Sequence, residues 1–412
     1  MTQVRDRAVR RDGARRLAHP RGGVNLPPLP RAKRLDSLTG LRYFAAFAVF
    51  VTHFVGSGSG GYGRTPALYP QSTYGTHGVA FFFVLSGFVL TWMWAPGQSV
   101  GHFYWRRVAR IVPLHIVTSI AAIWVYYEPI SRQKFEILPF LASIFLVQTW
   151  FPHISPMFPG NGVSWTLSCE AFFYLCFPAI AAVLAKLRRR QLVLVVAALV
   201  GSTLAWRVFS DLTLTPGLSS WSLRTPIFRI WEFVLGIVLA LLMRRGTALR
   251  GNTLVVVLAL AGWMLVYFNV RPYLPVLWGD AIVYLDQVVA PLLFVWLLGV
   301  AAKRDLSGKG SWLASKPMVL LGAWSFAFYL VHYFPLRLAT MAFGPREASN
   351  ANIFDLIGMG AVATALAAVC YYAVEHPAER RLRGLLGFGR HSSGESESRI
   401  DQSAEEAAAR LR

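Results

Sequence analysis

Cysteine is scarce in this chain. Only Cys169, Cys176 and Cys370 occur in 412 residues, each inside an apolar stretch and none in a CxxC or Cys/His spacing. A disulfide framework or a structural zinc site is excluded by that spacing, and no metal site is expected. Buried small hydrophobes are the ordinary role of such cysteines. Acidic residues are few as well: 20 Asp and Glu stand against 41 Lys and Arg, a formal net charge of +21. Duplicated halves and paired Gly/Pro-broken helices are both missing, which weighs against a transporter built on internal repeats. Residues 1–34 are Arg-rich but contain no apolar core, so they do not form a cleavable secretory signal. They read as a disordered basic cytoplasmic tail resting on anionic lipid.

Apolar residues are abundant. Hydrophobic residues make up 55% of the chain and the mean hydropathy is +0.45. They fall in runs near 20, the length needed to cross a bilayer. Such runs begin near residues 41, 79, 111, 165, 191, 227, 253, 282, 319 and 353. Basic clusters lie between them, at 5–34, 106–110, 186–190, 244–250, 303–309 and 380–390. An excess of Lys and Arg in short loops is the positive-inside pattern, not the signature of a nucleic-acid surface, and no nucleic-acid partner is expected. A shorter run, 135–150, contains Pro139. Ten spans with that run lying on the outer side place every basic cluster and both termini in the cytoplasm; eleven spans would not. The expected fold is therefore all-α: about ten transmembrane helices around a central polar pore. The expected divisions are 1–34 as tail, 35–377 as membrane domain and 378–412 as a polar cytoplasmic tail. The sequence is silent on oligomeric state.

Ionisable residues within the spans carry the chemistry. The first span holds Arg42 and His53, eleven positions apart. At 100° per residue they share one face, about 16 Å apart along the axis. Asp36 is placed to cap the start of that helix. A charge in the hydrocarbon costs about 2.5–3.5 kcal/mol on insertion scales, so such residues line a cavity or find partners. In the second span, Ser86 beside Gly87 reads as a close-packing site, since no G-x-S-x-G elbow supports a nucleophile. Arg106, Arg107 and Arg110 open the third span beside Tyr104 and Trp105. With Arg42 they suggest a cytoplasmic pocket for a phosphorylated ligand, because guanidinium forks suit phosphate oxygens and aromatic rings suit a nucleobase. Glu170 begins the fourth span toward the outer side. Glu232 has Arg229 one turn before it, and Asp286 has no obvious local partner. Tyr329 and His332 stand one turn apart in the ninth span, and Glu375 at the end of the tenth can pair with nearby arginines. The expected arrangement is a vertical polar path, with arginines at the mouth, His53, His332 and Tyr329 midway, and Glu170 and Glu232 beyond. An imidazole suits general-base work near neutral pH. A basic mouth with a remote base fits group transfer from a long phosphorylated donor such as a coenzyme A thioester.

Six stretches then carry a resemblance. They are Arg42-x10-His53; GVAFFFVLSGF at 78–88; Arg107-x-x-Arg110; WTLSCE at 165–170; SFAFYLVH at 325–332; and YAVEHP at 372–377. In this order they resemble the acyltransferase-3 family of bacterial integral-membrane O-acyltransferases, over roughly residues 35–377. Two positions depart from the pattern: Asp36 precedes Arg42 by six residues rather than three, and His376 replaces a basic residue. The resemblance implies a multi-pass inner-membrane enzyme of a bacterial cell. It implies transfer of a short acyl group from acyl-CoA, such as acetyl-CoA, to an acceptor hydroxyl. Family members acylate cell-envelope sugars, peptidoglycan, lipids and macrolides, and the TGLRYFAA stretch at 39–46 looks most like actinobacterial members, macrolide O-acyltransferases among them. The resulting assignments are His53 as base, Glu170, Tyr329 and His332 as further catalytic candidates, and Arg42, Arg106, Arg107 and Arg110 for the donor. No permanently bound cofactor is expected. One alternative is a secondary transporter of an anionic or acylated substrate through the same path. Another is a different membrane acyltransferase class using His332 as base; its glycerolipid H-x4-D version has no matching histidine here.

Overall fold

A computed structural model describes residues 34–56, 62–95, 98–126, 135–154 and 160–385. Most of the two expected tails, 1–33 and 386–412, lies outside the described residues. Among those described there are fourteen α-helices and no strand. The helices are α1 Asp36–Val55, α2 Gly78–Met93, α3 Val100–Tyr126, α4 Ile137–Ile144, α5 Trp165–Lys186, α6 Arg189–Thr213 and α7 Pro216–Ser222. They continue with α8 Pro226–Arg244, α9 Thr253–Leu265, α10 Val276–Leu306, α11 Lys316–Val331, α12 Tyr333–Phe343, α13 Asn352–Cys370 and α14 His376–Leu385. Nine of the resulting helical segments are long and apolar enough to cross a membrane. A tenth arises when α11 and α12, bent by 44° at His332, count as one broken span. The protein is thus an all-α, multi-pass membrane protein. The ambiguous run at 135–150 does not cross. It forms the eight-residue α4 and a 3-10 turn, Gln148–Trp150, that covers the start of α5. There Ser143 Oγ and Gln148 Nε2 reach Ser164 Oγ, and Thr149 Oγ1 lies 2.6 Å from Ser168 Oγ.

The central pair is α2 and α8. A Cβ on Gly87 would sit 2.0 Å from the Phe233 carbonyl oxygen, and one on Gly236 would sit 1.9 Å from that of Val84. Only glycine allows the two backbones this approach, as is usual where membrane helices pack without a hydrophobic driving force between them. Phe83, Phe173, Phe177 and Phe233 then fill the seam with α5.

Several loop arginines are more than topological signals. Arg244 is buried and donates to the carbonyls of Thr91, Trp92 and Trp94, closing the C-terminal end of α2. Arg245 donates to the Ala185 and Leu187 carbonyls at the end of α5. Cations at helix C-termini satisfy orphan carbonyls and complement the helix dipole.

One expectation needs correction. Asp36 does not cap α1, because it already lies inside the helix and pairs with Arg34 at 2.9 Å. The cap comes from Asp305 at the end of α10, which accepts from the Ser37 backbone N–H and hydroxyl. The boundary expected at 378 falls within α14, whose Glu379 pairs with Arg110 and whose Leu382 carbonyl accepts from the Trp105 indole. Residues 378–385 therefore pack on α3.

Candidate functional site

A cavity of about 140 Å³, open to the surroundings along part of its boundary, lies among α1, α2, α3, α5 and α11. Its polar lining consists of Arg42, Ser86, Arg107, Arg110, Thr166, Glu170, Tyr174, Ser325 and Tyr329. Its apolar lining includes Phe82, Phe83, Leu90, Ile111 and Phe326. Five helices thus bring together residues up to 287 positions apart in sequence, Arg42 and Tyr329 among them.

The three cavity arginines are not alike. Arg110 is spent on carboxylates: its Nη1 lies 2.9 Å from Glu375 and 3.0 Å from Glu379, and Glu379 also holds Arg383. A π-helical turn, Tyr371–Glu375, swings the buried Glu375 under Arg110. Such a turn inserts one residue into the helical ladder and re-aims the side chains around it. Arg42 and Arg107 make no hydrogen bond or ion pair with any described residue, and the Nε of Arg107 is buried without a partner. Arg106 does not line the cavity. Tyr104 and Trp105, read as nucleobase contacts, instead donate to the carbonyls of Leu175 and Leu382.

Glu170 shares this wall with the arginines rather than standing at the far end of the path. The covering segment at 137–150 packs on the start of α5, where Ser143 and Gln148 reach Ser164 and Thr149 meets Ser168. The Glu170 carboxylate accepts from Ser86 Oγ at 3.0 Å and from the Tyr174 hydroxyl at 2.9 Å. Ser86 is therefore a hydrogen-bond partner, while its neighbour Gly87 does the packing. Tyr174 lies one turn after Glu170, a spacing that pattern reading can find. Glu232 stays outside the cavity, paired with Arg229 at 3.1 Å. Asp286 finds three partners from two other segments: His77 at 2.9 Å and the Tyr74 hydroxyl at 2.8 Å from 71–77, and the Trp263 indole at 2.8 Å from α9. No sequence spacing announces that cluster.

The histidines meet across α1 and α11. His53 Nδ1 lies 2.9 Å from His332 Nε2, and His332 Nδ1 lies 2.8 Å from the Tyr329 carbonyl oxygen. A carbonyl only accepts, so His332 Nδ1 carries the proton and, in a neutral ring, Nε2 receives one from His53 Nδ1–H. That tautomer leaves the lone pair of His53 on Nε2. The Tyr333 ring stands edge-on to His53 at 5.3 Å between centroids.

The expected continuous path is interrupted. Tyr329 lines the cavity and its ring centroid is 5.8 Å from that of His332, yet neither histidine lines the cavity. The Tyr329 hydroxyl donates to the Val163 carbonyl at 3.3 Å and accepts from Thr166 Oγ1 at 3.1 Å. The Phe82 ring meets it edge-on at 6.0 Å. Among the described residues no group of three or more His, Cys, Asp or Glu side chains converges as a metal site would require.

Comparison with known proteins accords with this architecture. The acyltransferase domain model of the acyltransferase-3 family matches residues 35–372. The acyltransferase MdmB of Streptomyces mycarofaciens is 34% identical over 380 residues, covering 86% of this chain and 94% of the relative. The peptidoglycan O-acetyltransferase OatA of Listeria monocytogenes is 27% identical over 389 residues, covering 86% of this chain and 57% of the relative. The exopolysaccharide production protein ExoZ of Rhizobium meliloti is 27% identical over 328 residues, 76% of this chain and 92% of the relative. No solved structure matches the chain significantly. With the family model covering most of a bundle of nine or ten candidate spans, the chain belongs to the acyltransferase-3 family and is a multi-pass bacterial membrane acyltransferase.

Proposed function

We propose that the protein transfers a short acyl group from acyl-CoA to the hydroxyl of a sugar-bearing acceptor, with His53 as general base. One observation carries the reading: two guanidinium groups without protein partners, Arg42 and Arg107, line a cavity that ends one aromatic ring from a histidine pair with a free Nε2. Free guanidinium groups at membrane depth are costly, and the phosphates of a nucleotide thioester are suited to them. Glu170, fixed by Ser86 and Tyr174, offsets part of that positive charge beside the donor site. The bulk of Tyr329 at the cavity end favours a short acyl group.

In the reaction the acceptor oxygen attacks the thioester carbonyl carbon while His53 Nε2 takes its proton. The C–S bond then breaks, and the departing thiolate recovers that proton as free coenzyme A. His332 acts through His53, by accepting its Nδ1–H and so keeping the lone pair on Nε2. A peptidoglycan O-acetyltransferase and an exopolysaccharide production protein among the relatives make glycan hydroxyls the first acceptors to assay; a macrolide sugar is the next.

The test is mass spectrometry of extracts from cells with the wild-type gene, without it, and with His53→Ala. A single acyl mass shift on one carrier is expected with the wild type alone, while the variant remains in the membrane fraction. Undiminished acylation by His53→Ala removes the mechanism.

A further inference from the structure

We infer that Phe82 and Tyr329 form an aromatic partition between the donor cavity and the histidine pair, with Phe82 as its movable half, and that this partition protects the thioester from water. The inference rests on the acyl-CoA reading above and concerns which nucleophile the site admits.

The two halves of the site do not share a wall. The cavity carries the arginines and Glu170, whereas His53 and His332 lie outside its lining. Tyr329 belongs to both halves, since it lines the cavity and sits 5.8 Å from His332. It is also pinned. Its hydroxyl is held by Thr166 and the Val163 carbonyl, and its own carbonyl accepts from His332 Nδ1. Swinging the Tyr329 ring aside breaks both hydroxyl bonds, while its backbone carbonyl stays in α11 and keeps its bond from His332 Nδ1. Phe82 completes the barrier without such ties. Among the described residues its aromatic contacts are edge-on, with Tyr329 at 6.0 Å and with Phe81 at 6.0 Å, and it keeps partial exposure while Phe81 and Phe83 are buried. A rotation of Phe82 costs contact energy but breaks no hydrogen bond.

The chemistry gives such a barrier a purpose. A base that deprotonates an alcohol also deprotonates water. Water reaching the thioester beside His53 would attack the carbonyl carbon, and the C–S bond would break. Acetate and coenzyme A would then form, with the proton passing through His53 to the thiolate. Excluding water from a reactive intermediate or donor is a known use of a closed site. The partition keeps base and thioester apart until an acceptor occupies the histidine side.

The experiment uses purified full-length protein in detergent with acetyl-CoA and no acceptor, reading binding by calorimetry and free thiol by a colorimetric assay. Wild-type protein is expected to bind acetyl-CoA and release coenzyme A slowly. Phe82→Ala is expected to bind equally well and to release it roughly tenfold faster, since water then reaches the thioester. Adding His53→Ala in the same chain should return the rate to the wild-type level, and Phe82→Leu should stay near wild type. If Phe82→Ala does not yield folded protein, Phe82→Val takes its place, with a smaller expected rise. A variant that binds acetyl-CoA yet hydrolyses it no faster overturns the partition and leaves the acyl-transfer reading standing. Faster hydrolysis that survives loss of His53 overturns it too. Failure of the wild type to bind acetyl-CoA defeats the acyl-CoA reading itself, and the partition with it.

Discussion

Arg107 and Arg110 sit one helical turn apart and differ completely in circumstance. Arg110 is held by Glu375 and Glu379, and Arg107 is held by nothing among the described residues. Replacing Arg107 with Gln is expected to raise the KM for acyl-CoA with kcat little changed. A charge-assisted hydrogen bond is worth about 1.5–3 kcal/mol, so the rise should be roughly 10- to 150-fold, read from steady-state kinetics. Arg110→Gln should act on stability instead. Removing one partner of a buried pair costs about 3–5 kcal/mol, which a thermal-unfolding scan would register even without ligand. At the histidines, His53→Ala should cut kcat by about 10²–10⁴, the usual contribution of a general base. His332→Gln can still accept from His53 Nδ1–H through its amide oxygen, whereas His332→Phe cannot. The Gln variant should therefore keep the higher kcat, with KM unchanged in both. Equal loss in the two variants would mean that His332 does not set the tautomer. The motif spacings made Arg42, His53, Tyr329 and His332 legible in advance. They could not separate Arg107 from Arg110, because the carboxylates that neutralise Arg110 come from the far end of the chain.

Among the elements, the α2–α8 contact leaves no room for a side chain. Gly236→Val places a side chain on the Val84 carbonyl, and the helices must part to admit it. Overpacking of this kind costs about 1–3 kcal/mol or more, and a lower yield of monodisperse protein in size-exclusion chromatography is the expected result. Nine of the ten expected spans were readable from hydropathy as single helices, since length and apolarity are local properties, and the tenth is the bent pair α11 and α12. Also readable was the failure of 135–150 to cross, which charge bookkeeping in the loops required. The cap on α1 was not readable. Asp36 had the right residue type next to the helix start, but Asp305 supplies the oxygen atoms, from 268 positions away. The partners of Glu170 escaped only in part, since Tyr174 lies one turn on while Ser86 comes from another helix.

For the molecule as a whole, ten alternating crossings place the connections after α2, α5, α8 and α10 on one side of the membrane. The connections after α5, α8 and α10 carry basic clusters, so the positive-inside rule predicts that this side, with the first residue of α1 and the cavity arginines, faces the cytoplasm. A single cysteine introduced at Gly308, in a background lacking the three native ones, should react with a membrane-impermeant maleimide only after permeabilisation. Labelling of intact cells would invert the topology and place the donor site opposite the acyl-CoA pool.

The ion-pair network between α3 and α14 has a further bearing on biosynthesis. Arg110 and Glu379 are 269 positions apart, so the guanidinium is inserted long before its counter-charges have been translated. Until the final helix docks, the growing polypeptide carries an uncompensated cation within the lipid. A prematurely terminated product would retain that defect, and the cell's quality-control proteases would have a charge to recognise it by.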